Sequence, residues 1–63
     1  MNMEPNEPLI DATEAGRFLK LHPVTVREFA RQGRIPAVQI GRAWRFSMSR
    51  LIAWVAEQEG RKS

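Results

Sequence analysis

Three residues cut this chain into two short helices, and their spacing constrains the fold more than any other feature: Asp11, Pro23 and Gly33. Asp11 stands three positions before Glu14, the arrangement of a capping box at a helix start. The spacing predicts a first helix over 12–20, with Ala15, Phe18 and Leu19 inward and Leu9 or Ile10 stapled onto its first turn. Gly16 in mid-helix weakens it by about 1 kcal/mol relative to alanine, a cost offset if the missing side chain lets the second helix approach closely. Leu21 and His22 form the turn. Pro23 fits the first position of the next helix, where its missing N–H is no loss, and His22 is then its N-cap. The second helix is predicted over 23–32, with Val26, Phe29 and Ala30 inward and Gly33 as a left-handed stop. Val24, Thr25, Arg27, Glu28 and Arg31 are left on its outer face.

Arg34, Ile35 and Pro36 lead into a hairpin. A two-residue turn at Gly41-Arg42 would place Val38 on the same face as Arg45 and Gln39 beside Trp44. A three-residue loop of Gly41, Arg42 and Ala43 pairs Ile40 with Trp44 and Val38 with Phe46, which sorts the apolar residues onto one face. Because a one-residue slip flips every side chain, the cleaner sorting predicts the longer loop, with Arg42 at the exposed tip. Ser47 is read as the N-cap of a third helix over 48–58 that turns Leu51, Trp54 and Val55 inward and ends at Gly60.

The chain's 63 residues allow one domain and little buried surface. It has no cysteine and one histidine, which excludes disulfides and thiolate zinc sites. The core must come from Leu9, Ile10, Phe18, Leu19, Val26, Phe29, Ile35, Val38, Ile40, Trp44, Phe46, Leu51, Trp54 and Val55. Apolar spacing puts Trp44 and Trp54 in that core rather than on a base-stacking platform. No apolar run approaches the ~20 residues of a membrane span, and no signal segment is present; with the missing cysteines this predicts a cytoplasmic protein. Residues 1–8 are polar, contain Pro5 and Pro8, and read as a flexible lead-in; 9–58 are the folded domain and 59–63 a basic tail.

Charge is strongly polarised along the chain. Up to Glu14 there are four acids and no base; from Ala15 onward all ten bases face three acids, Glu28, Glu57 and Glu59. Six arginines and one acid lie between Arg27 and Arg50. Arginine's planar fork suits phosphates and guanine edges better than an ammonium does. Two short helices with this turn, followed by an arginine-bearing hairpin, are an arrangement that puts one helix into the major groove of DNA.

From Leu9 to Val55 the residues resemble the excisionase-type helix-turn-helix proteins, small relatives of the DNA-binding domain of the MerR regulators. The matching pieces are Asp11-Ala12-Thr13-Glu14-Ala15, Pro23-Val24-Thr25-Val26-Arg27 and Gly33-Arg34-Ile35-Pro36-Ala37. The hairpin Val38-Gln39-Ile40-Gly41-Arg42-Ala43-Trp44-Arg45-Phe46 and the helix segment Leu51-Ile52-Ala53-Trp54-Val55 complete the series. The resemblance implies a mainly α fold with a small β-hairpin: a winged helix-turn-helix of three helices and a two-stranded wing. It also implies a recombination directionality factor that bends DNA beside an integrase, or else a small transcriptional regulator. Glu28 departs from the pattern, standing where relatives often carry a base.

The expected division of labour follows from side-chain chemistry. Thr25 and Arg27, with Val24 and Glu28 beside them, are expected to read base edges. Arg31, Arg34 and Arg45 suit phosphates, and Arg42 at the tip suits a narrow minor groove. Glu28 either pairs with Arg31 or Arg27 on its own helix or accepts from a cytosine amino group. His22 is a candidate phosphate contact at a helix N-terminus. No cofactor is expected, and no acid–base pair or metal cluster suggests an enzyme. The expected partners are double-stranded DNA and an integrase, with no membrane. One domain offers few base contacts and no dimerising coil, so free monomers binding head-to-tail on repeated sites are expected. A protein-interaction module on the same scaffold is the alternative of another class.

Overall fold

The computed structural model describes residues 7–61; the rest of the expected lead-in, up to residue 6, and Lys62 and Ser63 of the expected tail lie outside the described residues. The element order is α1 (Ala12–Leu19), α2 (Pro23–Arg31), β1 (Val38–Ile40), β2 (Ala43–Arg45) and α3 (Met48–Arg61). The Asp11 carboxylate accepts the Glu14 N–H at 2.9 Å and caps α1. At the other end Lys20 adopts a left-handed conformation (φ 62°), so α1 stops at Leu19, one residue short of the expected end. Leu21 N–H then donates to the Gly16 carbonyl at 2.9 Å, which folds the turn back onto the helix. Gly16 is buried, and a Cβ built there would collide with the Leu21 carbonyl oxygen. The close approach expected of Gly16 is therefore made with the turn leading into α2, rather than with the body of that helix.

His22 caps α2 through Nδ1, which accepts the Val24 N–H at 3.1 Å, and Pro23 occupies the first helical position. The helix is closed by Gly33 (φ 73°), beyond which Arg34 N–H donates to the Phe29 carbonyl at 2.8 Å. That six-to-one bond across a left-handed glycine is the Schellman form of helix ending.

The hairpin corrects the sequence-based expectation. Its register pairs Val38 with Arg45, Gln39 with Trp44 and Ile40 with Ala43, so Gly41-Arg42 is a two-residue turn. Gly41 has φ 63° and Arg42 does not share a positive φ, which is the type II′ pattern with glycine first. Phe46 is not paired with Val38: it exchanges two backbone bonds with Ile10, each 2.8 Å. This pairing takes Phe46 out of the hairpin ladder and removes the reason for a longer loop. Residues opposite each other share a face, so Val38, Ile40, Ala43 and Arg45 lie on one side and Gln39 and Trp44 on the other. Trp44 packs on the core, while Val38 and Ile40, both expected inside, are 46% and 55% exposed.

The fully buried set is Ala12, Ala15, Val26, Ala30, Ile35, Phe46 and Leu51, with Ile10, Leu19, Leu21, Phe29, Ala37, Trp44 and Trp54 packed around it. Alanines on the facing sides of α1 and α2 hold the two helices close. Phe18 and Leu9 were also expected in the core and are exposed. The buried stripe of α1 runs through Ala12, Ala15 and Gly16, and at 100° per residue Phe18 lies about 110° away from its centre. Ile10 rather than Leu9 supplies the apolar contact before the cap. Ser47 caps α3, its carbonyl accepting the Leu51 N–H at 2.9 Å and its Oγ the Arg50 N–H at 3.4 Å. The helix runs through Gly60 to Arg61, past the expected end at 58, because Gly60 takes no left-handed turn and Glu57 pairs with Arg61 at 3.4 Å across the last turn. Three helices with a two-stranded antiparallel hairpin between the second and third make a winged helix-turn-helix.

Candidate nucleic-acid interface

The outer face of α2 follows from which of its residues the core takes. Val26 and Ala30 are buried and Phe29 is packed beside them. At 100° per residue the opposite side is centred on Val24, Glu28 and Arg31, with Arg27 on one flank and Thr25 on the other. Burial agrees: Val24 is 57% exposed, Arg27 and Arg31 are exposed, and Thr25 and Glu28 are half-buried. Thr25 is thus a flank residue of the face rather than its centre.

One polar network organises the second half of this face. Glu28 forms an ion pair with Arg31, one helical turn on, and its Oε2 also accepts from Gln32 Nε2 at 3.1 Å. Of the two roles left open for Glu28, pairing on its own helix is realised in the free protein, and with Arg31 rather than Arg27. The Arg31 guanidinium holds the Glu28 carboxyl below its ordinary value, chiefly through the hydrogen bond, and the carboxylate in turn raises Arg31. Gln32 Oε1 accepts from Arg34 Nη1 at 3.4 Å, and the Arg34 guanidinium lies 4.5 Å over the Phe29 ring. Gln32 is the member of this network that sequence reasoning missed. Its signal was present as the i, i+4 spacing from Glu28. With Glu28 and Arg31 paired, Arg27 carries the charge on α2 that no ion pair among the described residues offsets.

The other two arginines lie on the wing. Arg42 is exposed at the hairpin tip, second in the turn after Gly41. Arg45 is half-buried on β2 and its Nη1 donates to the Trp44 carbonyl at 2.9 Å, so its side chain is drawn back along its own strand. Hydrogen bonds join Glu28, Arg31, Gln32 and Arg34; none among the described residues ties Arg42 or Arg45 to α2. His22 is exposed at the N-terminus of α2 with Nδ1 occupied as the cap acceptor. A neutral imidazole accepting at Nδ1 carries its proton on Nε2, which leaves an N–H donor beside the first turn of the helix.

No group of three or more metal-ligating side chains occurs among the described residues, and no helix there is long and apolar enough to cross a membrane. None of the curated proteins and none of the solved structures matches the chain significantly. The family model described as a helix-turn-helix domain matches residues 9–59, from just before the α1 cap nearly to the end of α3. That span covers most of the chain's 63 residues and contains both helices, the turn and the wing, so the chain belongs to this helix-turn-helix domain family.

Proposed function

We propose that this protein binds double-stranded DNA in a sequence-specific way, as an excisionase-like directionality factor that bends DNA cooperatively beside an integrase. The observation that carries the DNA-binding part is the outer face of α2, from Val24 to Arg31. It is held clear of the core by Val26 and Ala30 and fixed at both ends by caps. Membership of the helix-turn-helix family supports the same partner. In this reading α2 enters the major groove. Arg27 reads guanine acceptors, Thr25 and Val24 touch a thymine methyl or the sugar edge, and Glu28 stays with Arg31. Arg31, Arg34 and Arg45 neutralise phosphates and set register, and Arg42 reaches the neighbouring minor groove.

The role beside an integrase rests on the series of motifs from Asp11 to Val55 and on the size of the reading surface. One nine-residue helix offers few base contacts, so useful occupancy calls for several copies side by side, which also suits bending. Two measurements test the proposal. Anisotropy titration with labelled duplex should show log affinity falling with log salt at a slope near −4.5 if about five phosphates are neutralised. A protected-base map on genomic fragments around the gene should show several adjacent sites filled together. Binding without salt dependence sinks the DNA reading and favours a protein-interaction module. One isolated palindrome occupied by a stable dimer sinks the cooperative arrangement and leaves a small regulator.

A further inference from the structure

Residues 7–10 are fastened at both ends to the joint where the wing becomes α3. At one end Ile10 exchanges two 2.8 Å backbone bonds with Phe46, the residue directly after β2. At the other, the Glu7 carboxylate accepts the Ser49 backbone N–H at 2.9 Å, the Ser49 hydroxyl at 2.9 Å and the Ser47 hydroxyl at 3.2 Å. Ser47 is itself the N-cap of α3, so Glu7 completes that cap from 42 positions away in sequence. The site suits an anion, since the first N–H groups of a helix lack partners within it and the dipole's positive end lies there. The Ser49 N–H, followed by the Ser49 hydroxyl, holds the Glu7 carboxyl below its ordinary value, so it is ionised throughout the neutral range.

The wing needs such an anchor. Its strands are three residues long, and none of their six residues is fully buried. An isolated two-stranded hairpin is marginal in water. Trp44 is the one strand side chain packed on the core; the rest of the wing's direction is set at its base, where the strap is tied. We infer that Glu7 is a positioning residue for the wing: by clamping Ser47 and Ser49, next to the Ile10–Phe46 bridge, it fixes the orientation in which the hairpin presents Arg42. This inference rests on the DNA-binding reading for its functional consequence, and on geometry alone for its mechanical one.

The two parts are tested separately on the full chain, with Glu7→Ala, Glu7→Gln, Arg42→Ala and the Glu7→Ala/Arg42→Ala double variant. In free protein, amide hydrogen exchange in Glu7→Ala is expected to quicken at Ile10, Phe46 and the hairpin while Val26 to Ala30 keep their protection. Glu7→Gln, which retains one acceptor oxygen, recovers part of the loss. Unchanged exchange, or a uniform rise that includes α2, overturns the inference whether or not DNA is bound. With duplex, Glu7→Ala is expected to flatten the salt slope by about 0.9, the equivalent of one phosphate contact. Arg42→Ala should then cost less in the Glu7→Ala background than alone, by a factor of about two or more, the lower range for coupled residues. If wild type binds and Arg42→Ala weakens it, but the two changes simply multiply, Glu7 acts through stability and the inference fails. If wild type does not bind duplex, the functional reading falls and the exchange data alone decide the strap.

Discussion

The helical pair and the wing are held in place by opposite means. Between Asp11 and Arg34 nearly every constraint is local: a cap three residues from its partner, a left-handed Lys20, a second cap at His22 and a closing glycine. The hairpin has one local device, the Gly41-Arg42 turn, and is otherwise held by Trp44 packed on the core and by bonds from residues 7–10, more than thirty positions earlier. A reading helix and a reaching arm thus meet different demands. The helix must offer one fixed face, and short-range caps preset it; the arm must be aimed, and distant contacts aim it.

Phe46 is where the two regimes meet, so its truncation is expected to give the largest effect. Its side chain is fully buried, and its backbone carries the bridge to Ile10. Phe46→Ala is expected to cost about 3–5 kcal/mol, comparable with the whole stability of a domain this small. Urea unfolding followed by tryptophan fluorescence would show it largely unfolded at room temperature. A loss below about 1 kcal/mol would mean that the wing and the helical pair do not share this core.

Gly16→Ala should come next, with a sign opposite to helix propensity. In an open helix the change would gain about 1 kcal/mol. Here the new Cβ meets the Leu21 carbonyl, a backbone atom with no flexible side chain to yield. Overpacking of that kind costs about 1–3 kcal/mol, so the thermal midpoint should fall. A rise would show that the turn relaxes, and that the helical pair is less rigidly preset than its caps suggest.

These two positions also mark how far the sequence was legible. The helical pair could be read because its signals are one-residue chemistry at fixed offsets: an acid before a turn, a proline at the first helical position, a glycine after the last. In the wing, apolar sorting and turn chemistry point to different registers, and the turn prevails: glycine in first place is itself the signature of a type II′ turn. What broke the sorting rule was the bridge from Ile10 to Phe46, a contact between distant segments that no local pattern encodes. Glu7 was hidden for the same reason: a glutamate in a proline-containing lead-in carries no mark of the helix it caps. At the candidate interface, Glu28–Arg31 pairing was foreseeable from spacing. The curling of Arg45 onto the Trp44 carbonyl was not, since it depends on a rotamer.

A smaller effect is expected from Glu28→Gln, and it tests whether the reading face is as preset as the caps imply. Because pairing lowers the carboxyl from its ordinary value of 4.5, its stabilising contribution is present above that value and lost as pH falls through the folded one. The variant should therefore show a flatter loss of stability with acid below pH 4.5. Glu7 is lowered too and leaves the rest of that slope in place. With Glu28 neutral, Arg31 no longer divides its charge between that carboxylate and its phosphate, so affinity for random duplex at low salt should rise with the salt slope little changed. Unchanged affinity for random duplex with an altered site preference would instead mean that Glu28 reads a base.

The smallest effect is expected on the outer face of the wing, from Val38→Thr and Ile40→Thr. Both side chains are about half exposed, and the hairpin register sets them opposite Arg45 and Ala43, away from the face that carries Trp44. Threonine keeps the β-branched shape and strand preference while adding a hydroxyl that water can satisfy. Each change should therefore shift unfolding by no more than about 0.5 kcal/mol, the range for surface substitutions without special contacts. The three-residue loop predicts otherwise: with Val38 opposite Phe46 and Ile40 opposite Trp44, each hydroxyl would enter the core without a partner, at about 1–3 kcal/mol. Equilibrium unfolding of the two variants thus separates the registers without any structure determination. The same variants show whether this face serves DNA: a fall in duplex affinity without a fall in stability would place Val38 and Ile40 in the wing's contact, beside Arg42 at its tip.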